Sequence, residues 1–228
     1  MKYYWFGDSW VAGDELDNSA LAFPQLVSDH YHAECVNLGR CGSSITAIPH
    51  VFNTVFKNIT DSDRVFFFLT EPHRTSLVDS TNQLKNIIPS KMAKHLVHDH
   101  VDQWYRYFDN PFQRAYNNTC TVNLLYLWCK HLGISCYFSN IFNTTNNDYV
   151  DGIDWLLPQS RCIAECILPV INNDAFLFDD NPNLTVDEWS KQKPAVEKYI
   201  KPNFVHPNAD GHRKIADYII ELLDAKTS

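Results

Sequence analysis

The run Val65-Phe66-Phe67-Phe68-Leu69 constrains this chain more than any other feature. A strand sends successive side chains to opposite faces, so a run that is apolar at every position must be covered on both. That is the condition of a central strand in a parallel sheet with helices above and below it. The neighbouring segments fit this reading. Lys2 to Phe6 reads as a short aromatic strand, Ala33 to Asn37 as a second, and Ile134 to Ser139 as a fourth that follows the helix stop at Gly133. Between them, Ser19 to Tyr31 carries Leu21, Phe23, Leu26 and Val27 at helical spacing, and Ile45 to Lys57 carries Ile48, Val51, Phe52 and Val55 on one stripe. Further helices are expected from about residue 90 to 108 and from about 111 to 131. Strands separated by helices imply βαβ units, a parallel sheet and helices on both faces.

From Ile141 to Pro202 the alternation breaks. This stretch is rich in Asn, Asp and Pro, with a helix expected from Trp155 to Leu168, a weak strand from Ala175 to Phe178 and a helical piece opening at Val186-Asp187-Glu188-Trp189. In an α/β domain such a segment decorates the carboxyl end of the sheet, where loops form the ligand crevice. With 228 residues and no repeat or low-complexity linker, residues 1–228 are read as one domain with insertions at about 75–130 and 141–202.

Charge and cysteine usage exclude several classes. Nineteen basic against twenty-seven acidic residues give a net charge of −8, a poor match for a nucleic-acid partner that binds through phosphate neutralisation. No apolar stretch approaches the ~20 residues of a membrane span, and the N-terminus lacks a signal-peptide pattern. The seven cysteines form no CxxC pair and lie mostly in apolar contexts, which reads as reduced core thiols in a cytoplasmic protein. His95, His98 and His100, with Asp99 and Asp102, read as a solvated helix face, because His100 points away from the other two and zinc needs three or four converging ligands. Trp104, Tyr107 and Phe108 fit core positions of a helix. No metal and no cofactor is expected, and no feature fixes an oligomeric state.

Only seven glycines occur in the chain, and four fall in three short motifs. Phe6-Gly7-Asp8-Ser9-Trp10 places a serine directly after the first strand. Asn37-Leu38-Gly39-Arg40-Cys41-Gly42-Ser43-Ser44 follows the second. His206-Pro207-Asn208-Ala209-Asp210-Gly211-His212 opens the last helix. Taken singly, each has an ordinary reading as a turn or a capped helix start, with Asp8 fixing its turn by hydrogen bonding and His212 a first-turn helix residue.

Taken together, in this order and spacing, the three motifs resemble the GDSL/SGNH hydrolase family, over roughly residues 2–70 and 200–225. The resemblance implies a three-layer α/β/α sandwich with a mostly parallel, flavodoxin-like central sheet of about five strands. It implies a serine ester hydrolase, with Ser9 as nucleophile and an oxyanion donor through its backbone N–H. Gly42 matches the oxyanion glycine, Gly39 being the looser choice, and His206 matches the general base. The substrate implied is a small-molecule or carbohydrate ester, an acylated carbohydrate first.

The chain departs from the family pattern twice. Where the family has an aspartate three residues before the histidine, Asn203 stands here. After the third strand the family has a Gly-X-Asn, whose amide completes the oxyanion hole. Here the chain reads Leu69-Thr70-Glu71-Pro72-His73-Arg74. Thr70, His73 or Arg74 are alternative donors, and Glu71 is an alternative carboxylate for His206. Two function classes follow: an active acetyl or acyl esterase working through Ser9 and His206, or a weak or inactive relative acting as a carbohydrate-binding or structural interaction module.

Overall fold

The computed structural model of the chain describes residues 1–14, 16–70, 74–78, 84–87, 110–141, 162–166 and 206–227. Five parallel strands form one sheet: β1 (Lys2–Phe6), β2 (Glu34–Asn37), β3 (Arg64–Leu69), β6 (Ser135–Asn140) and β7 (Cys162–Cys166), in the order β2-β1-β3-β6-β7. Counted within the sheet alone this is the flavodoxin-like order 2-1-3-4-5. Between β3 and β6 lies a separate antiparallel pair, β4 (Thr75–Val78) with β5 (Leu84–Ile87).

The helices are α1 (Ser9–Ala12), α2 (Phe23–His30), α3 (Ile48–Val55), α4 (Pro111–His131) and α5 (Ala209–Thr227). The helical stripes begin where the sequence places them, but both α2 and α3 are preceded by a single 3₁₀ turn, at Ser19–Leu21 and Ile45–Ala47. Each α-helix then starts with a proline in its first turn, Pro24 and Pro49, where the missing N–H would be unpaired in any case.

The run at β3 is covered as its composition requires. Phe66 and Phe68 point into a core shared with Tyr3, Trp5, Phe23 and Val27 and closed by Ile215, Ala216, Ile219 and Leu223 of α5. Val65, Phe67 and Leu69 point into the opposite core with Tyr4, Phe6, Ile48, Phe52, Leu125 and Cys129. The layers are therefore α2 and α5, the sheet, then α3 and α4. The register stacks aromatic residues across three strands on each face. Trp5 and Phe66 lie 4.0 Å apart between ring centroids at 9°, and Phe66 to Tyr137 is 5.2 Å. On the other face Phe6, Phe67 and Phe138 follow at 5.3 and 4.9 Å. Cross-strand aromatic pairs of this kind stabilise the sheet on both faces.

Three expectations are corrected. The helix expected from Trp155 to Leu168 is replaced over Cys162–Cys166 by the edge strand β7, which pairs with β6 through two register shifts. A short mixed run of this length carries no period that separates a strand from a helix. The hairpin β4–β5 lies in the insertion expected at about 75–130, where no strand is expected from the sequence. Finally, Cys129 and Cys136 are buried, but Cys41 and Cys120 are exposed, Cys41 in the turn after β2 and Cys120 on the outer side of α4. The segments from 90 to 108, from 175 to 178 and from 186 to 189 lie outside the described residues. No described helix is long and apolar enough to cross a membrane.

Candidate active site

The order of the sheet reverses between β1 and β3, and a crevice opens beyond the carboxyl ends of strands at such a point. Ser9 follows β1 there, and Thr70 follows β3. Gly7 lets the chain leave the strand, since a Cβ on it would run into the Val11 side chain and lie 3.0 Å from the Phe68 carbonyl. Asp8 then caps α1, its Oδ1 accepting the Trp10 N–H at 3.0 Å, and Ser9 is the first helical residue, 4% exposed. The single helical turn closes at Gly13, left-handed at φ 75°, whose N–H bonds the Ser9 carbonyl.

His206 reaches this serine from the far end of the chain. Its Nε2 lies 2.8 Å from Ser9 Oγ, across 197 positions of sequence. The motif around it is a helix cap: Asn208 Oδ1 accepts the Gly211 N–H at 2.9 Å and the Asn208 carbonyl accepts the His212 N–H at 2.9 Å. The ordinary reading of this motif as a capped helix start therefore holds, and the same cap fixes the backbone that presents the imidazole to Ser9. His212 is completely buried and stacks on Phe23 with ring centroids 5.8 Å apart. Burial, and then the charge His206 would carry, push its pKa down to about 4.

The turn after β2 packs directly against α1. Asn37 Nδ2 donates to the Val11 carbonyl at 2.7 Å and Asn37 Oδ1 accepts the Gly39 N–H at 3.0 Å. The Arg40 N–H bonds the Gly7 carbonyl at 3.1 Å. Gly39 is needed for this contact, since a Cβ there would collide with the Ala12 backbone N and lie 2.8 Å from the Val11 carbonyl carbon. The Gly39 N–H is thus occupied, whereas Gly42 sits in a left-handed turn at φ 68°. Among the described residues, neither the Ser9 nor the Gly42 N–H is bonded to an acceptor.

Two of the alternative oxyanion donors turn elsewhere. Thr70 Oγ1 donates to Asp8 Oδ2 at 2.7 Å, and Arg74 Nη1 pairs with the same oxygen at 3.1 Å. Asp8 is 0% exposed, so its carboxylate is held by a backbone N–H, a hydroxyl and a guanidinium. Asp8 as a turn-fixing residue was legible in the sequence; its partners were not, because nothing local marks a contact 62 or 66 positions away. Sequence reasoning also missed Ser44 and Ser76, whose hydroxyls meet at 2.7 Å beside the Gly42 turn. Asn203, Glu71 and His73 lie outside the described residues, as do His95, His98, His100, Asp99, Asp102 and the aromatic residues 104–108. Among the described residues no group of three His, Cys, Asp or Glu side chains is placed to hold a metal ion.

A serine hydroxyl bonded to an imidazole is the pairing of nucleophile and base that acyl transfer uses. No protein-family model matches the chain, and no curated protein matches it in sequence. Solved structures match it in fold. One is a member of the G-D-S-L family from Desulfitobacterium hafniense DCB-2, with TM-score 0.51, 11% identity and 97% of this chain aligned to 98% of that one. A two-domain esterase active on acetylated mannans gives TM-score 0.50 and 14% identity, with 99% of this chain aligned to 48% of that one. An acetyl xylan esterase from the rumen bacterium Butyrivibrio proteoclasticus gives TM-score 0.50 and 12% identity, with 100% of this chain aligned to 64% of that one. This chain therefore spans about half and about two thirds of the lengths of the two esterases. At these identities the likeness is one of fold.

Proposed function

We propose that the chain is a divergent GDSL/SGNH-type serine ester hydrolase, with Ser9 as nucleophile and His206 as general base. The observation that carries this reading is the 2.8 Å separation of His206 Nε2 and Ser9 Oγ, within the reach that proton transfer needs. His206 Nε2 takes the hydroxyl proton as Ser9 Oγ bonds to the ester carbonyl carbon, and the carbonyl oxygen becomes negative. The N–H groups of Ser9 and Gly42 stabilise that oxygen, each such donor being worth on the order of 3–4 kcal/mol. When the tetrahedral intermediate collapses, the protonated His206 gives its proton to the leaving alcohol and the acyl group stays on Ser9. Water, deprotonated by His206, then adds to the acyl carbon, and the acyl–Oγ bond breaks as His206 returns the proton to Ser9, releasing the acid.

The substrate class proposed is an acylated carbohydrate or other small ester. Its support is that two chains of the same fold are esterases, one active on acetylated mannans and one an acetyl xylan esterase. Asn203 belongs to the proposal as an orienting acceptor for His206.

The test is covalent labelling of folded protein by a fluorophosphonate, with the site read by mass spectrometry. Labelling at Ser9, lost in Ser9→Ala and slowed in His206→Ala, is the expected result. No labelling, together with no turnover of short p-nitrophenyl esters above the Ser9→Ala control, overturns the reading and favours a binding module.

A further inference from the structure

We propose that Arg74 and Ser76, at the entry to β4, are positioning residues that hold the nucleophile turn and the Gly42 turn in register. The inference rests on the serine hydrolase reading and deepens it.

The two residues are two positions apart, Arg74 directly before β4 and Ser76 within it. One contacts each turn. Arg74 Nη1 pairs with Asp8 Oδ2 at 3.1 Å, in the residue before Ser9. The Ser76 hydroxyl meets that of Ser44 at 2.7 Å, two residues after Gly42, and Ser44 Oγ also meets Thr46 Oγ1 at 2.9 Å. Ser44 is 1% exposed and the Arg74 side chain 11%, so solvent does little to loosen either contact. One short segment thereby ties together the two turns whose N–H groups must converge on a single oxygen.

Arg74 has a second consequence. A fully buried carboxylate is tolerated only when paired, and Asp8 stands one residue from the place where negative charge develops in the transition state. Left without its counter-charge, Asp8 would oppose that development through a medium of low dielectric. Arg74 cancels the opposition while its contact also fixes the turn. These are properties of the segment that follows β3, where the family pattern has its third oxyanion motif.

The experiment compares Arg74→Met, Arg74→Lys, Ser76→Ala and the double variant Arg74→Met with Asp8→Asn. The readouts are the rate of fluorophosphonate labelling at Ser9, kcat and KM for p-nitrophenyl acetate, and the urea midpoint. Arg74→Met is expected to lower kcat and the labelling rate about 100-fold, the loss that follows a small misplacement of reacting groups, with KM little changed. Arg74→Lys should recover part of the loss. Adding Asp8→Asn to Arg74→Met should recover about tenfold, because the uncompensated charge is gone while the acceptor for the Trp10 N–H remains. Ser76→Ala should lower the labelling rate about tenfold. A lower urea midpoint with unchanged labelling of folded protein, and no rescue by Asp8→Asn, would make the contacts merely structural and overturn the proposal. Should Arg74→Met not fold, Arg74→Lys and Ser76→Ala carry the same comparison. If wild-type protein itself does not label, the hydrolase reading fails; if it labels and every variant labels equally fast, only the positioning role fails.

Discussion

His212 Nδ1 accepts the backbone N–H of Phe23 at 3.2 Å, joining the first turn of α5 to the first turn of α2 across 189 positions of sequence. Helix α2 needs this bond. Its N-cap position is Ala22, which has no side-chain acceptor to offer, so an imidazole from another helix satisfies one of the orphan donors. The bond also fixes the tautomer. Nδ1 must be unprotonated to accept, which leaves the proton on Nε2, and His212 stays neutral beside His206.

The protein should lose stability as pH falls from about 6.5 to about 4. His212 is held neutral in the folded state, its pKa pushed down from 6.5 to about 4 chiefly by burial, while the unfolded chain takes up a proton at the ordinary value. Stability that depends on the neutral ring is complete above about pH 6.5, and about 3 kcal/mol of it is lost by the lower limit. Urea midpoints measured between pH 7.5 and 4 for wild type and His212→Phe should converge as pH falls. Curves that stay parallel across that window would show that His212 does not titrate as described.

Gly39→Ala should destabilise more than Gly7→Ala. At Gly39 the added methyl meets main-chain atoms of Val11 and Ala12, which cannot yield without moving α1 and Ser9 with it. At Gly7 the nearest atom belongs to the Val11 side chain, which has other rotamers, although the Phe68 carbonyl at 3.0 Å limits the relief. Overpacking of this kind costs about 1–3 kcal/mol, with Gly39→Ala expected at the upper end. Chemical denaturation of the two variants against wild type ranks them, and the reverse order would count against the close approach of the two turns.

What was legible in the sequence divides along the range of the forces involved. The β3 run shows its two-sided burial because pleating is local, and the stripes of α2 and α3 show because helical period is local. The edge strand β7 was not legible, since Cys162-Ile163-Ala164-Glu165-Cys166 has neither a clean alternation nor a helical stripe, and its state is decided by pairing with β6. At the candidate site, Ser9, Gly42 and His206 stood out only through the resemblance that their three motifs carry together, since turn and cap chemistry alone gives each motif an ordinary reading. Arg74 with Asp8, Ser76 with Ser44 and His212 with Phe23 did not stand out, because each joins distant segments through side chains that have no local signature.

Ser28→Ala should cost about 1–3 kcal/mol although it removes a single oxygen. Ser28 is fully buried, its Oγ accepting the Trp5 Nε1–H at 3.1 Å and donating to the Pro24 carbonyl at 2.7 Å. Without it the indole N–H of the central aromatic ladder is buried unpaired, and that orphan donor rather than the lost bond sets the size of the effect. Trp5→Phe removes the donor, so in a double-mutant cycle Ser28→Ala should cost markedly less in that background. Equal costs in both backgrounds would refute the pairing.

Asn37→Asp should damage both stability and the proposed activity, and more than its near identity of shape suggests. Asn37 uses both ends of its amide, Nδ2 donating to the Val11 carbonyl at 2.7 Å and Oδ1 accepting the Gly39 N–H at 3.0 Å. A carboxylate keeps the second bond but sets a negative oxygen against the Val11 carbonyl, so the turn must retreat from α1. Losing one such bond and introducing that repulsion costs about 1–3 kcal/mol. Because the same turn carries Gly42, labelling of Ser9 should slow by about tenfold or more in the folded variant. Since the carboxylate regains a donor when protonated, lowering the pH towards 5 should recover part of the stability of Asn37→Asp relative to Asn37→Ala. A variant that is destabilised yet labels at the wild-type rate would separate the turn from the chemistry and count against Gly42 as an oxyanion donor.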